Sequence, residues 1–217
     1  MDKYKAKQRV EKLSLSFVDK PALNYSNAFE LLVAVILSAQ CTDERVNKVT
    51  EKLFKKYSTA QDFATILPKE LEKYIFSCGL YKNKAKHIIS ASKDIVNKFN
   101  GQVPNNLKDL RSLAGVGRKT ANVVYSVAFN GNAIAVDTHV FRVANRIGLA
   151  NSNNVLKTEE QLMDILDEKD WSKSHHYLIY LGRKVCSARK PLCQSCPIND
   201  LCEKNIKIAQ SKIKNSK

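Results

Sequence analysis

The sequence predicts an all-α protein, and three observations carry that expectation. Apolar residues recur three and four positions apart along nearly the whole chain. Seven Gly and five Pro in 217 residues are about half the usual share, which excludes collagen, a disordered linker and a turn-rich β-sandwich. The one strand-like run, Ala133-Ile134-Ala135-Val136, has no second run nearby to pair with. At roughly 100–200 residues per domain the chain makes one large domain or two small ones, with ample length for a core.

Taken in order, the elements read as follows. Asn27, with Glu30 three residues later, has the pattern of a capping box opening a helix through Phe29, Leu32, Val33 and Ile36. Val46, Val49, Leu53 and Phe54 mark a second helix. Ala85, Ile88, Ser92, Ile95, Val96 and Phe99 mark a third, and Asn100-Gly101 supplies its stop. Leu107, Leu110 and Leu113 form a short stripe, then Ala121, Val124 and Ala128 another that ends at Asn130-Gly131. Thr158 with Gln161 repeats the capping-box pattern before Leu162 and Ile165. Tyr177, Leu178 and Leu181 give a stripe between Trp171 and Lys184. The total is about ten short helices with no internal repeat.

No membrane helix is expected, because the longest apolar run, Leu31 to Leu37, is far short of the roughly 20 residues a span needs. The mixed-charge N-terminus (Asp2, Lys3, Lys5, Lys7, Arg9, Glu11) is no secretory signal. The expected compartment is therefore the reducing cytoplasm, where cysteines serve as thiolates or ligands rather than disulfides. The 36 Lys and Arg against 21 Asp and Glu give a net charge of +15. Polyanions gain from counterion release on such a surface, so nucleic acid is the first partner to consider. A merely lysine-rich solvated surface has the same charge, so a motif must decide.

That motif lies at Leu113-Ala114-Gly115-Val116-Gly117-Arg118-Lys119-Thr120-Ala121, between two helical stripes. Gly115 and Gly117 let the backbone turn sharply and aim consecutive N–H groups from a helix N-terminus, where a phosphate is attracted. A plain helix–helix turn has the same two glycines. Arg118 and Lys119 tip the balance, since cations in a first helical turn oppose the macrodipole unless an anion or a chemical role justifies them. A neutral lysine amine is what Schiff-base chemistry requires.

Four cysteines, Cys186, Cys193, Cys196 and Cys202, lie within 17 residues in a C-x6-C-x2-C-x5-C pattern. Four such thiolates can bind a tetrahedral Zn2+ or a [4Fe-4S] cluster, and the spacing does not separate the two. Cys41 and Cys78 stand apart and read as core thiols; His175 and His176 read as helix residues.

The run from Gly115 to Asn122, followed by Ala135-Val136-Asp137-Thr138-His139-Val140-Phe141-Arg142, resembles the helix-hairpin-helix and catalytic segment of the endonuclease III family. The resemblance runs from about Ser26 to Cys202, includes the cysteine pattern, and sets Asp137 18 residues after Lys119. These are bacterial DNA glycosylases and apurinic/apyrimidinic (AP) lyases of base-excision repair. The resemblance implies a two-domain helix-hairpin-helix glycosylase fold, with residues 21–130 carrying the hairpin and residues 1–20 plus 131–217 carrying an iron–sulfur loop. It implies a [4Fe-4S] cluster on Cys186, Cys193, Cys196 and Cys202. It also implies that Lys119 attacks the sugar's anomeric carbon, with Asp137 as its carboxylate partner. An Asp before an apolar helical run is equally an N-cap, and the two roles are compatible.

Further implications follow residue by residue. Gln40 and Leu80 match residues that enter the duplex where a base has been extruded. Gly115, Gly117 and Arg118 bind phosphate, and Arg189 and Lys190 form a basic loop shaped by the cluster. The implied partner is double-stranded DNA with damaged bases or abasic sites, acted on by a monomer without a membrane, at the nucleoid of a bacterial cytoplasm. Oxidised pyrimidines are the implied substrates, with nicking 3′ to the site by β-elimination. The chain departs from the family where Ala114 replaces the usual Pro and where Arg111 stands at an often acidic position. An adenine-mismatch glycosylase of the same superfamily lacks a lysine at the Lys119 position. A DNA-binding module with structural zinc and a ferredoxin-like electron carrier are the other readings, and the latter sits poorly with +15. The tail after Cys202, with five Lys and one Glu, is a basic arm or a solvated end.

Overall fold

A computed structural model describes residues 2–204; the basic tail beyond Lys204 lies outside the described residues. Among these the chain forms eleven α-helices and two single-turn 3₁₀ segments, with no strand. It divides into two compact units, Pro21–Gly131 and Met1–Lys20 with Asn132–Lys217.

The Pro21–Gly131 unit holds α2 (Ala28–Ser38), α3 (Asp43–Phe54), α4 (Ala60–Thr65), α5 (Pro68–Ile75), α6 (Tyr81–Lys98), α7 (Leu107–Ser112) and α8 (Arg118–Ala128). Helix α2 is apolar all round, and every residue from Phe29 to Leu37 is buried, as expected of a helix enclosed by others. Helices α3, α6 and α8 pack on it, while α4 and α5 lie along α6 and α7 along α8. Asn27 caps α2 by accepting from the Glu30 N–H at 2.9 Å, but Glu30 reaches the N–H of Ser26, at 2.6 Å, rather than that of Asn27. The box is thus shifted by one residue. Asn100 and Gly101, both at positive φ, end α6 as their residue types demand.

The other unit holds α1 (Lys3–Ser14), α9 (Thr138–Ile147), α10 (Val155–Ile165) and α11 (Trp171–Lys184). Helix α9 is buried from Val140 to Ile147 and packs against α10 and α11; α1 lies on α11. Thr158 does not open α10. Asn154 does, because its side chain accepts from both Leu156 and Lys157 N–H groups, and Thr158 sits buried one turn later with its hydroxyl on the Asn154 carbonyl. The run Ala133–Val136 is buried yet unpaired as a strand; the Ala135 carbonyl is met instead by His175 Nδ1 at 2.7 Å. No helix among the described residues is long and apolar enough to cross a membrane.

Candidate functional site

The hairpin is α7, the turn Leu113–Gly117, and α8. Leu113 and Val116 are 3% and 5% exposed, so the turn is pinned to the core by two apolar side chains while its glycines face out. Gly115 has φ +76°, and a Cβ there would lie 2.8 Å from the Cβ of His87. Only glycine fits that position. Gly117 differs: its φ is −81° and a Cβ would meet nothing within 4 Å. The protein itself makes no demand for glycine there. Gly117 is the N-cap of α8 and offers no side-chain cap, and the first turn contains no acidic residue. Arg118 and Lys119 open that turn, both exposed.

Asp137 is the N-cap of α9, half-buried, with Oδ1 accepting from the Val140 N–H at 2.8 Å. The buried Ala133–Val136 segment leads into it and is held through Ala135 by His175. His139, two residues on, has its pKa lowered by burial, with Asp137 opposing the shift. The ring of His176, packed edge-on against His175, is buried, and burial with His175 beside it pushes its pKa down to about 3.

Gln40 and Leu80 share an unusual backbone state. Both are exposed non-glycine residues in the left-handed region, at φ 54° and 57°, a conformation costing on the order of 1 kcal/mol for an L-residue. A Cβ on Gly79 would lie 3.6 Å from the Gln40 carbonyl oxygen, so the two loops touch. Cys78 behind them is fully buried, and burial with Cys41 nearby pushes its thiol up to about 11. Cys41 is only half-buried, which corrects its reading as a plain core thiol: it lies at a loop edge, not inside a helix.

Cys186, Cys193, Cys196 and Cys202 together line one pocket. The four thiols stand round this one pocket, a donor set of the kind that holds a polynuclear cluster. The charges around it agree. Arg9, Arg142 and Arg146 are 4%, 6% and 1% exposed; Arg9 is paired with the Glu203 carboxylate at 3.2 Å, and a buried cation is costly without such an anion. Arg146 donates to the Ser187 and Ala188 carbonyls at 2.6 and 2.7 Å and approaches Cys186 Sγ at 3.6 Å. Its Nε, buried beside the same pocket, has no hydrogen-bond partner among the described residues, an orphan donor that an anionic group would satisfy. Arg142 donates to the Cys186 and Gly182 carbonyls, and Arg9 to those of Leu201 and Gly148. Burial, with the neighbouring thiols adding to it, raises the pKa of Cys196 and Cys202; a bound metal group offsets that by favouring thiolate. Arg189 and Lys190 project exposed from the same loop. These residues fit a [4Fe-4S] cluster.

The sequence pattern assigns no role to the buried arginines or to Lys84, a buried cation behind the Gln40 loop. Arg142 and Arg146 did carry a signal: two arginines four residues apart within the apolar helix pattern of Val140, Phe141, Val143, Ala144 and Ile147.

Helices, hairpin and thiol loop together define a helix-hairpin-helix protein with a four-cysteine loop. The model of the HhH-GPD superfamily of base excision DNA repair proteins matches residues 33–168, and that of the iron–sulfur binding domain of endonuclease III matches residues 186–202. Endonuclease III of Bacillus subtilis is 50% identical over 186 residues, covering 85% of each chain. That of Haemophilus influenzae is 50% identical over 186 residues, 86% of this chain and 88% of its own. A solved structure of a trapped endonuclease III–DNA covalent intermediate, an estranged-adenine complex, is similar at a TM-score of 0.88 and 44% identity, covering 98% of this chain and 99% of the other. The chain belongs to the endonuclease III family, within the HhH-GPD superfamily. It is a DNA glycosylase and AP lyase of base-excision repair and carries a [4Fe-4S] cluster.

Proposed function

We propose that Lys119 is the amine that performs the chemistry and that Asp137 is the carboxylate serving it. The observation that carries this reading is the position of Lys119: exposed, in the first turn of α8, two residues after a glycine with open space where its side chain would be. A phosphate of the damaged strand docks against the N–H groups after Gly115 and Gly117, with Arg118 adding charge. Lys119 Nζ then bonds to C1′ of the sugar as the C1′–base bond breaks, and the base leaves with the bonding pair and takes up a proton. The bonded amine loses one proton, the C1′–O4′ bond of the sugar breaks with O4′ taking the bonding pair and a proton, and the ring opens to leave a protonated imine between Nζ and C1′. Loss of a C2′ proton then expels the 3′ phosphate oxygen, which nicks the strand. Asp137 stabilises positive charge on the sugar and accepts protons, while one of its oxygens holds the start of α9.

Gln40 and Leu80 fill the gap left by the extruded nucleotide; their exposure and strained backbones support that role. Cys186, Cys193, Cys196 and Cys202 hold the cluster. When bound, the cluster supplies an anionic anchor for the loop that offers Arg189 and Lys190 to phosphate, and it takes no part in breaking the glycosidic bond. The substrate is duplex DNA carrying an oxidised pyrimidine or an abasic site, the acting form is a monomer, and the setting is the bacterial cytoplasm at the nucleoid.

Borohydride tests the reading. The protein is expected to be trapped covalently on DNA containing an oxidised pyrimidine, and Lys119→Gln to bind that DNA without trapping. Asp137→Asn keeps its cap and fold but loses most turnover. Trapping that survives Lys119→Gln would assign the imine to another amine.

A further inference from the structure

The two strained loops that carry Gln40 and Leu80 share one support. Lys84 lies in the first turn of α6, 5% exposed, and its ammonium donates to the carbonyls of Leu37 and Ala39 at 2.9 and 2.6 Å. These carbonyls belong to the last turn and C-cap of α2, where helical carbonyls run out of partners of their own. Helix α2 has no basic residue in its last turn, so Lys84 closes it from another helix. Its own N–H donates to the Leu80 carbonyl at 3.1 Å, the first bond of α6. One residue is therefore bonded through its side chain to the residue before Gln40, and through its main chain to Leu80.

We propose that Lys84 is a positioning residue for the repair reaction: its ammonium locks the Gln40 loop to the Leu80 turn, so that both side chains enter the duplex at a fixed spacing. The inference rests on the reading that Gln40 and Leu80 fill the gap of the extruded nucleotide. A helix C-terminus is ordinarily closed by a glycine or an exposed cation, at far lower cost than a buried ammonium. Burial lowers the pKa of Lys84, opposed by the neighbouring Cys78 and Cys41 thiols. What the buried cation adds over a glycine is a rigid link to a second loop. Both of the linked loops carry exposed residues in the left-handed region, and such strain persists only where surrounding structure over-determines it.

The test is the ratio of nicking turnover on duplex DNA with an abasic site to that on the same abasic strand alone, since only the duplex has a gap to fill. Leu80→Ala and Gln40→Ala establish the underlying reading by lowering the ratio. Lys84→Met is expected to lower it about tenfold, the consequence of losing charge-assisted bonds that position main chain. Lys84→Arg, which keeps the charge in a larger and differently shaped group, lowers it less, and it replaces the Met variant should that fail to fold by circular dichroism. A folded Lys84→Met or Lys84→Arg protein with the wild-type ratio, or with equal losses on both substrates, makes Lys84 a structural cap and overturns the inference. Unchanged ratios in Leu80→Ala and Gln40→Ala overturn the gap-filling reading instead, whatever Lys84 does.

Discussion

Between Leu113 and Gly117 the chain turns on two glycines and two buried apolar side chains, whereas the stretch from Cys186 to Cys202 is framed by three buried arginines on α1 and α9. Both stretches offer cations to solvent: Arg118 and Lys119 in one, Arg189 and Lys190 in the other. The hairpin holds its shape through local backbone preference and a steric fit against His87. The thiol loop instead hangs its carbonyls on guanidiniums from distant parts of the sequence. A motif of the first kind is written in consecutive residues. The second exists only after folding: Arg9 has the Glu203 carboxylate beside it, and an anion in the pocket would satisfy the Nε of Arg146.

The largest way to break this contrast is to remove one guanidinium. Arg146→Met strips donors from the Ser187 and Ala188 carbonyls and the neighbour from Cys186 Sγ. The two carbonyls belong to a half-buried Ser187 and an exposed Ala188, so each lost charge-assisted bond costs about 1 kcal/mol rather than the penalty of a buried orphan. We expect a lower Tm and a lower iron and sulfide content per chain, both measured on protein purified without oxygen. A variant with full iron content and wild-type Tm would mean the loop stands without its frame.

A smaller effect separates the two units by pH. His176 lies on α11 with its pKa driven from the ordinary 6.5 to about 3, by burial first and His175 second. Because the unfolded chain takes up that proton near pH 6.5 and the folded chain does not, stability is full above that pH and declines as pH falls toward 3. The slope is at most about 1.4 kcal/mol per pH unit from this one group. Trp171, the chain's single tryptophan, sits in the same unit and reports its unfolding by fluorescence. His176→Phe is expected to flatten the decline between pH 6.5 and 4.5; an unchanged slope assigns the acid sensitivity to other groups.

What the sequence made legible follows the same division. Helix stripes, the stops at Asn100-Gly101 and Asn130-Gly131, and the Gly115–Lys119 turn are set by neighbours within a few positions, so they could be read directly. The opening of α10 differs from the capping-box pattern at Thr158 because Asn154, the better cap, lies four residues before it and takes two N–H groups at once. Lys84, Arg9, Arg142 and Arg146 could not be assigned partners from spacing. Arg9 bonds to Leu201, 192 residues away, and Lys84 to Leu37, 47 away. Nor does any residue type announce the positive φ of Gln40 and Leu80.

The smallest expected effect is also the sharpest, because it pits the two hairpin glycines against each other. Gly115→Ala must place a Cβ at φ +76° and 2.8 Å from His87 Cβ, which costs about 1–2 kcal/mol of stability. Gly117→Ser meets no neighbour within 4 Å, and the extended backbone at φ −81°, ψ 178° is that of an ordinary N-cap. A serine there accepts from the first turn of α8, so Tm is expected to hold or rise, by up to about 1 kcal/mol of stability. Affinity for duplex DNA with an abasic site should nonetheless fall, since the hydroxyl competes for the N–H groups that the phosphate uses and the side chain occupies its approach. The fall should be accompanied by a shallower dependence of log affinity on log salt, the sign of one phosphate contact fewer. A Gly117→Ser protein that is more stable and binds as tightly as the wild type would show that α8 does not receive a phosphate at its N-terminus. The open space at Gly117 would then be no more than an unused N-cap.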